Sequence, residues 1–237
     1  MSRHIKRLAA PKTWKIKRKE SKFIIKPNPG PHSAEHSLPL LVIVRDILGY
    51  AKNSREARKI IKEGRIVIDR RIRKDPKFPV GLMDIVEIPD AQDYRITLFD
   101  KKGRITLVRI EKKFTKFKLC KIVDKSFVKG GKMQLHLHDG RNMLVENDIY
   151  KTKDTIVLNL DENKIENHFR YKPGSLVYII GGSHVGEVAR IRNIEIIRSP
   201  YPNKVILENS EKFETIEDYI FVIGDKSPFL DVFEVNK

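Results

Sequence analysis

Hydrophobic side chains in this 237-residue chain change their spacing once, near Tyr94. Beyond that point they recur every second residue: Ile96 and Leu98, Ile105 and Leu107, then Phe117, Leu119 and Val123. That is the period of strands with one buried face. Asp100-Lys101-Lys102-Gly103 and Asp139-Gly140 mark turns between such strands, the second suited to a tight hairpin. Ahead of Tyr94 the period is helical: Leu40, Leu41, Val44, Ile47 and Leu48 predict a helix from Leu38 to Gly49. A second helix is predicted from Asn53 or Ser54, with Glu56 completing a capping box and Gly64 ending it. The whole reads as an α+β, multidomain chain.

On a helical wheel the second helix separates cleanly. Ala57, Ile60 and Ile61 fall on one side, and Arg55, Arg58, Lys59 and Lys62 on the other. Glu56 and Glu63 stand at the flanks, so pairing along the helix neutralises the stripe only in part. This matches a larger asymmetry. Residues 1–80 hold 22 Lys and Arg against 7 Asp and Glu, and the rest of the chain holds 26 against 24. A one-sided excess of this kind is the footprint of a polyanion-binding surface. The final stretch from Tyr201 leans acidic and is unsuited to lie on phosphates.

Within the first 30 residues, ten Lys and Arg meet one acid, Glu20, and Pro11, Pro27 and Pro29 interrupt regular structure. Such an arm is expected to order on a polyanion, not by itself. Trp14 is the residue expected to stack on a base or sugar. The candidate contacts on the arm are Lys6, Arg7, Lys12, Trp14, Lys15, Lys17 and Arg18. Lys52 follows just ahead of the second helix, Ser54, Arg55, Arg58, Lys59 and Lys62 on it, then Arg65, Arg70, Arg71 and Arg73 beyond it.

Other functions find little support. No apolar run reaches the ~18 residues of a membrane-spanning helix, and no membrane partner is expected. The single Cys120 provides neither a disulfide framework nor a cysteine zinc cluster, and it fits a reducing cytosol. His136 and His138 share a strand face ahead of Asp139, but no spacing supplies a third ligand, so no metal is expected. No arrangement of catalytic residues is apparent either, so neither an enzyme, a cofactor nor a small-molecule substrate is expected.

Ser54-Arg55-Glu56-Ala57-Arg58, Gly64-Arg65-Ile66-Val67-Ile68 and Gly81-Leu82-Met83-Asp84-Ile85-Val86 resemble, in that order, the small RNA-binding domain named after bacterial ribosomal protein S4. Arg70 departs from that family, which commonly has Gly in the hairpin turn. Further on, Gly181-Gly182-Ser183-His184-Val185-Gly186 lies between two strand-like runs and resembles a KOW motif, a nucleic-acid- and protein-binding element. There Gly181 and Gly182 are expected to permit positive φ, and Gly186 a close backbone approach.

Both motifs occur with Lys6-Arg7-Leu8-Ala9-Ala10-Pro11-Lys12-Thr13-Trp14, Ser37-Leu38-Pro39-Leu40 and Asp139-Gly140-Arg141. In that combination the chain resembles the S4e family of archaeal and eukaryotic small-subunit ribosomal proteins. The resemblance implies a basic arm (1–37), a helix-helix-strand RNA-binding domain (38–92), a central β domain (93–172) and an SH3-like KOW barrel (173–237). It implies a structural role in the small ribosomal subunit, in the cytoplasm, with ribosomal RNA and neighbouring ribosomal proteins as partners. The alternatives are an RNA-modifying enzyme of the pseudouridine synthase kind, whose Arg-Leu-Asp motif is not found, and a KOW-type transcription factor.

Overall fold

Pairing between strands dominates the computed structural model, which describes residues 4–209 and 211–233. The fold is mostly β with few helices. Two units divide it, Met1–Lys118 and Leu119–Lys237.

In the first unit the arm is folded. Strand β1 (His4–Lys6) pairs antiparallel with β2 (Phe23–Ile25). Arg7 explains how so charged a segment orders. Its buried guanidinium donates to the Lys17 carbonyl (2.5 Å) and to Ser21 Oγ (3.2 Å), and it lies 3.5 Å from Glu20. Arg18 donates to the carbonyls of Leu8, Ala10 and Pro11. Two of the arm's cations therefore satisfy its own backbone, where the sequence alone assigns them to a partner.

Next comes β3 (Ser37–Pro39), across the point where the sequence predicts a helix to start. Pro39 holds the residue before it extended, so the helix begins at Leu40, two residues after the predicted start. Helix α1 (Leu40–Val42) then continues through a wider π-helical segment, Ile43–Ile47. Helix α2 (Ser54–Lys62) follows and ends at Gly64, whose φ is +78°. Strands β4 (Val67–Ile68) and β5 (Arg71–Ile72) form a hairpin around Asp69 and Arg70, with φ of 50° and 62°. Two positive φ values define the turn that matches strand twist. Arg70 adopts it without glycine, and its side chain lies 3.3 Å from Glu87. Strand β6 (Pro79–Gly81) pairs with β3, and β7 (Ile85–Ile88), β8 (Asp93–Phe99) and β9 (Ile105–Arg109) complete a sheet ordered β5-β4-β7-β8-β9. Leu38, Ile43, Ala57, Ile61, Ile66 and Met83 are buried in this unit.

Strand β10 (Phe117–Phe127) leads into the second unit, and its first two residues still belong to the first. With β11 (Met133–Leu137), β12 (Asn142–Val145), β13 (Thr155–Asn159) and β14 (Lys164–Phe169) it makes a sheet ordered β12-β11-β10-β13-β14. Alternate residues Ile122, Leu135, Leu137, Ile156 and Leu158 pack into one apolar cluster. The remaining strands are β15 (Leu176–Ile179), β16 (Val188–Glu195), β17 (Lys204–Glu208), β18 (Lys212–Ile216) and β19 (Ile220–Gly224). They form a second antiparallel sheet, ordered β18-β17-β16-β15-β19.

Candidate nucleic-acid interface

Local chemistry fixes α2. Asn53 Oδ1 accepts from the amides of Arg55 (2.9 Å) and Glu56 (3.0 Å), while Glu56 reaches back to the Lys52 amide (2.8 Å). This reciprocal cap satisfies donors that the first turn leaves open. Ala57 and Ile61 are fully buried, which turns Arg55, Arg58, Lys59 and Lys62 outward, all exposed. Lys59 lies 4.0 Å from Glu63, and Arg65 pairs with Glu63 at 2.7 Å. Among the described residues Arg55, Arg58 and Lys62 form no ion pair. The stripe therefore keeps most of its charge.

Elsewhere the candidates divide. Lys6, Lys12, Lys15, Lys17, Lys52 and Arg71 are exposed, as is Arg70 despite its contact with Glu87. Ser54 is not available in the same way, because its Oγ accepts from Arg45 at 2.6 Å. Arg73 lies over the Phe78 ring, 4.3 Å from its centroid, and braces its own loop. Trp14 is 2% exposed and bridges to Ile105, whose amide donates to the Thr13 carbonyl at 2.7 Å. Its ring is a core residue and has no face to offer a base. Arg7 and Arg18 are likewise structural.

Three residues passed over in the sequence join the surface: Phe23, Arg45 and Lys77. With Arg58 and Lys62 they line a groove of about 670 Å³ between β2 and α2. Arg45 is held by Asp46 (2.9 and 2.8 Å). That hydrogen bonding raises its pKa further, against the effect of burial. The only signal for Phe23 was an apolar triplet, Phe23-Ile24-Ile25, set among lysines.

In the second unit the glycine loop joins β15 to β16. Gly182 and Gly186 both have φ of +84°. Gly181 does not need a positive φ; a Cβ there would meet the Tyr219 ring at 2.6 Å. The roles expected of Gly181 and Gly186 are thus exchanged. His184 stacks on Phe213 with ring centroids 3.9 Å apart.

His136 on β11 and His138 just past its end also separate. His136 bonds Ser126 Oγ and Asn142 Oδ1, both at 2.8 Å, which occupies both ring nitrogens on the sheet surface. His138 and Asp139 instead meet Cys120, their ligand-type atoms all within 4.8 Å of one another. Cys120 is the third group that spacing alone did not reveal. Arg141 already sits 3.2 Å from Asp139 and supplies positive charge there.

Comparison with known proteins gives this geometry a context. Residues 91–165 match the ribosomal family S4e, residues 1–35 the RS4NT domain and residues 38–86 the S4 domain. The chain is 51% identical over 238 residues to small ribosomal subunit protein eS4 of Methanocaldococcus jannaschii, with 96% of each chain covered. It belongs to the S4e family. The Methanococcus aeolicus protein of the same name is 48% identical, with 97% of each chain covered. The crystal structure of the 30S ribosomal protein S4e from Thermoplasma acidophilum superposes with a TM-score of 0.72 at 31% identity, covering 82% of this chain and 99% of that one. Within the S4e family frame, the cationic helix lies inside the stretch matched as an S4 domain.

Proposed function

We propose that this S4e-family chain is a structural constituent of the small ribosomal subunit and holds folded ribosomal RNA with its amino-terminal unit. The observation that carries this reading is the exposed, largely unpaired stripe of Arg55, Arg58 and Lys62 on a helix whose other face is buried. Phosphate contacts of this kind position a protein on folded RNA by shape and charge. Lys6, Lys12, Lys15, Lys17, Lys52, Lys59, Arg65, Arg70 and Arg71 extend the cationic field. The role needs no catalytic residue and places the chain in cytoplasmic ribosomes beside other ribosomal proteins.

We further assign residues 1–37 to an arm, 38–92 to the RNA-binding domain and 93–172 to a family-specific β domain. Residues 173–237 we assign to a KOW-type barrel built on the β15–β19 sheet. The sharp Gly182 and Gly186 turns support the last assignment.

Arg55→Glu combined with Arg58→Glu tests the proposal. Affinity for small-subunit ribosomal RNA should fall and the slope of log affinity against log salt should flatten by about two phosphates' worth, at roughly 0.7–0.9 each. Unchanged affinity and slope would remove the helix from the interface. Sedimentation of the intact chain with small subunits checks the assembly, and a chain found only in lighter fractions would favour a polymerase-bound factor instead.

A further inference from the structure

The groove between β2 and α2 differs in kind from a flat basic surface. Its lining is mixed: Phe23, Ile25 and Leu41 supply apolar surface, and Arg45, Arg58, Lys62 and Lys77 supply cations. Asp75 also lines it. A volume of about 670 Å³ falls within the ~300–1,000 Å³ of clefts that take a small organic group. Phe23 is 48% exposed, so part of its ring is open to a ligand. The His4 ring meets it edge-on at 4.6 Å, and Lys22 Nζ lies 5.5 Å from its centroid. An aromatic face held in place beside unpaired cations matches the two halves of a nucleotide, a base to stack and a phosphate to neutralise.

We infer that this groove takes an unpaired nucleotide of RNA, its base on Phe23 and its flanking phosphates on Arg58 and Lys62. The inference rests on the RNA-binding reading above and adds a preference that a phosphate-only surface lacks. Base-paired RNA has no free base face to insert, so the groove discriminates single strands and looped-out bases from duplex. It also gives the arm a use other than a diffuse charge: β1 and β2 build one wall.

The test compares the full-length protein binding oligouridylate and a blunt RNA duplex of equal length, each across a salt series. Phe23→Ala should weaken oligouridylate binding roughly tenfold, with the salt slope and duplex affinity unchanged. Phe23→Leu, which keeps apolar packing, should lose as much, and Phe23→Tyr should restore binding. Arg58→Gln with Lys62→Gln should flatten the single-strand slope by about 1.4. Should Phe23→Ala bind oligouridylate as the parent does, or lose both ligands equally, the nucleotide site is wrong. If the cation variant still weakens binding in that case, the RNA-binding reading survives. Silence of both variants removes both.

Discussion

Lys118 Nζ stands 2.5 Å from Asp84 Oδ1 in the interior of the amino-terminal unit, with Asp69 Oδ2 at 2.6 Å. The lysine is 1% exposed. Each carboxylate also serves the backbone. Asp69 accepts from the Ile85 amide, and Asp84 accepts from the Gly81 amide and meets His32 Nε2 at 2.9 Å. Burial alone would raise the Asp84 pKa, but the Lys118 ammonium and then His32 overturn it and hold the group well below the carboxylate range. One ammonium thus ties the β4–β5 turn, the β6–β7 connection and the end of the unit's chain together.

Lys118→Met should therefore destabilise the unit severely, by about 3–5 kcal/mol, because it removes the ammonium that two buried carboxylates share. Adding Asp84→Asn should recover part of the loss. Urea denaturation of the three proteins measures both, and a single variant within 1 kcal/mol of the parent, roughly the scale of an exposed pair, would show the network to be dispensable.

Arg7 and Arg55 make a contrasting pair. Both belong to the cationic third, yet Arg7 is buried against Lys17, Ser21 and Glu20 while Arg55 faces solvent. Arg7→Ala should cost about 1.5–3 kcal/mol in local stability, the range for hydrogen bonds from a charged donor. Amide exchange at Ile5 and Ile24 should accelerate accordingly. Arg55→Ala should leave those amides untouched and lower the affinity and salt dependence of RNA binding instead. Equal exchange in the two variants would return Arg7 to the surface.

The same contrast explains which features were readable from the chain. Helix α2 was readable because its determinants are local: a cap within three residues, a period, and a glycine at its end. The cationic stripe came with it, since burying Ala57 and Ile61 fixes where Arg55, Arg58 and Lys62 point. Trp14, Arg7 and Lys118 were not readable, because each is defined by partners distant in sequence or in other elements. Trp14 looks like an exposed aromatic until β9 supplies Ile105. Lys118 alternates with Phe117 and Leu119 and reads as a solvent-facing strand residue until Asp69 and Asp84 enclose it. Polar residues whose burial depends on distant counter-charges are invisible to periodicity.

Lys121 gives the second unit a pH signature. It is 7% exposed, and its ammonium donates to the Ile220 carbonyl at 2.6 Å. Burial lowers its pKa to about 8, with Lys153 adding to the shift and Asp218 and Glu217 opposing it. The unfolded value lies near 10.4. Between these two values the unfolded chain holds the extra proton, so stability rises with pH across that window and this group adds no slope below about 8. Denaturation midpoints at about pH 7.5 and about pH 10 should show the rise in the parent and its loss in Lys121→Met. A parent with no rise attributable to Lys121 would mean that the amine is solvated.

Gly181 and Gly182 are adjacent glycines kept for different reasons, and substitution separates them. A Cβ at Gly181 would lie 2.6 Å from the Tyr219 ring, a clash with no backbone strain attached. At Gly182 the φ of +84° is itself the obstacle, and the ring is no nearer than 3.4 Å. Gly181→Ala should cost about 1–3 kcal/mol, as overpacking does. Tyr219→Ala, made in the same chain, should remove most of that cost because the space opens. For Gly182→Ala the penalty is conformational, and removing the ring should leave it in place. A double-mutant cycle reads this directly: strong coupling of Tyr219 to position 181 and little to position 182. Equal coupling at both positions would mean that the ring, not the turn, dictates both glycines.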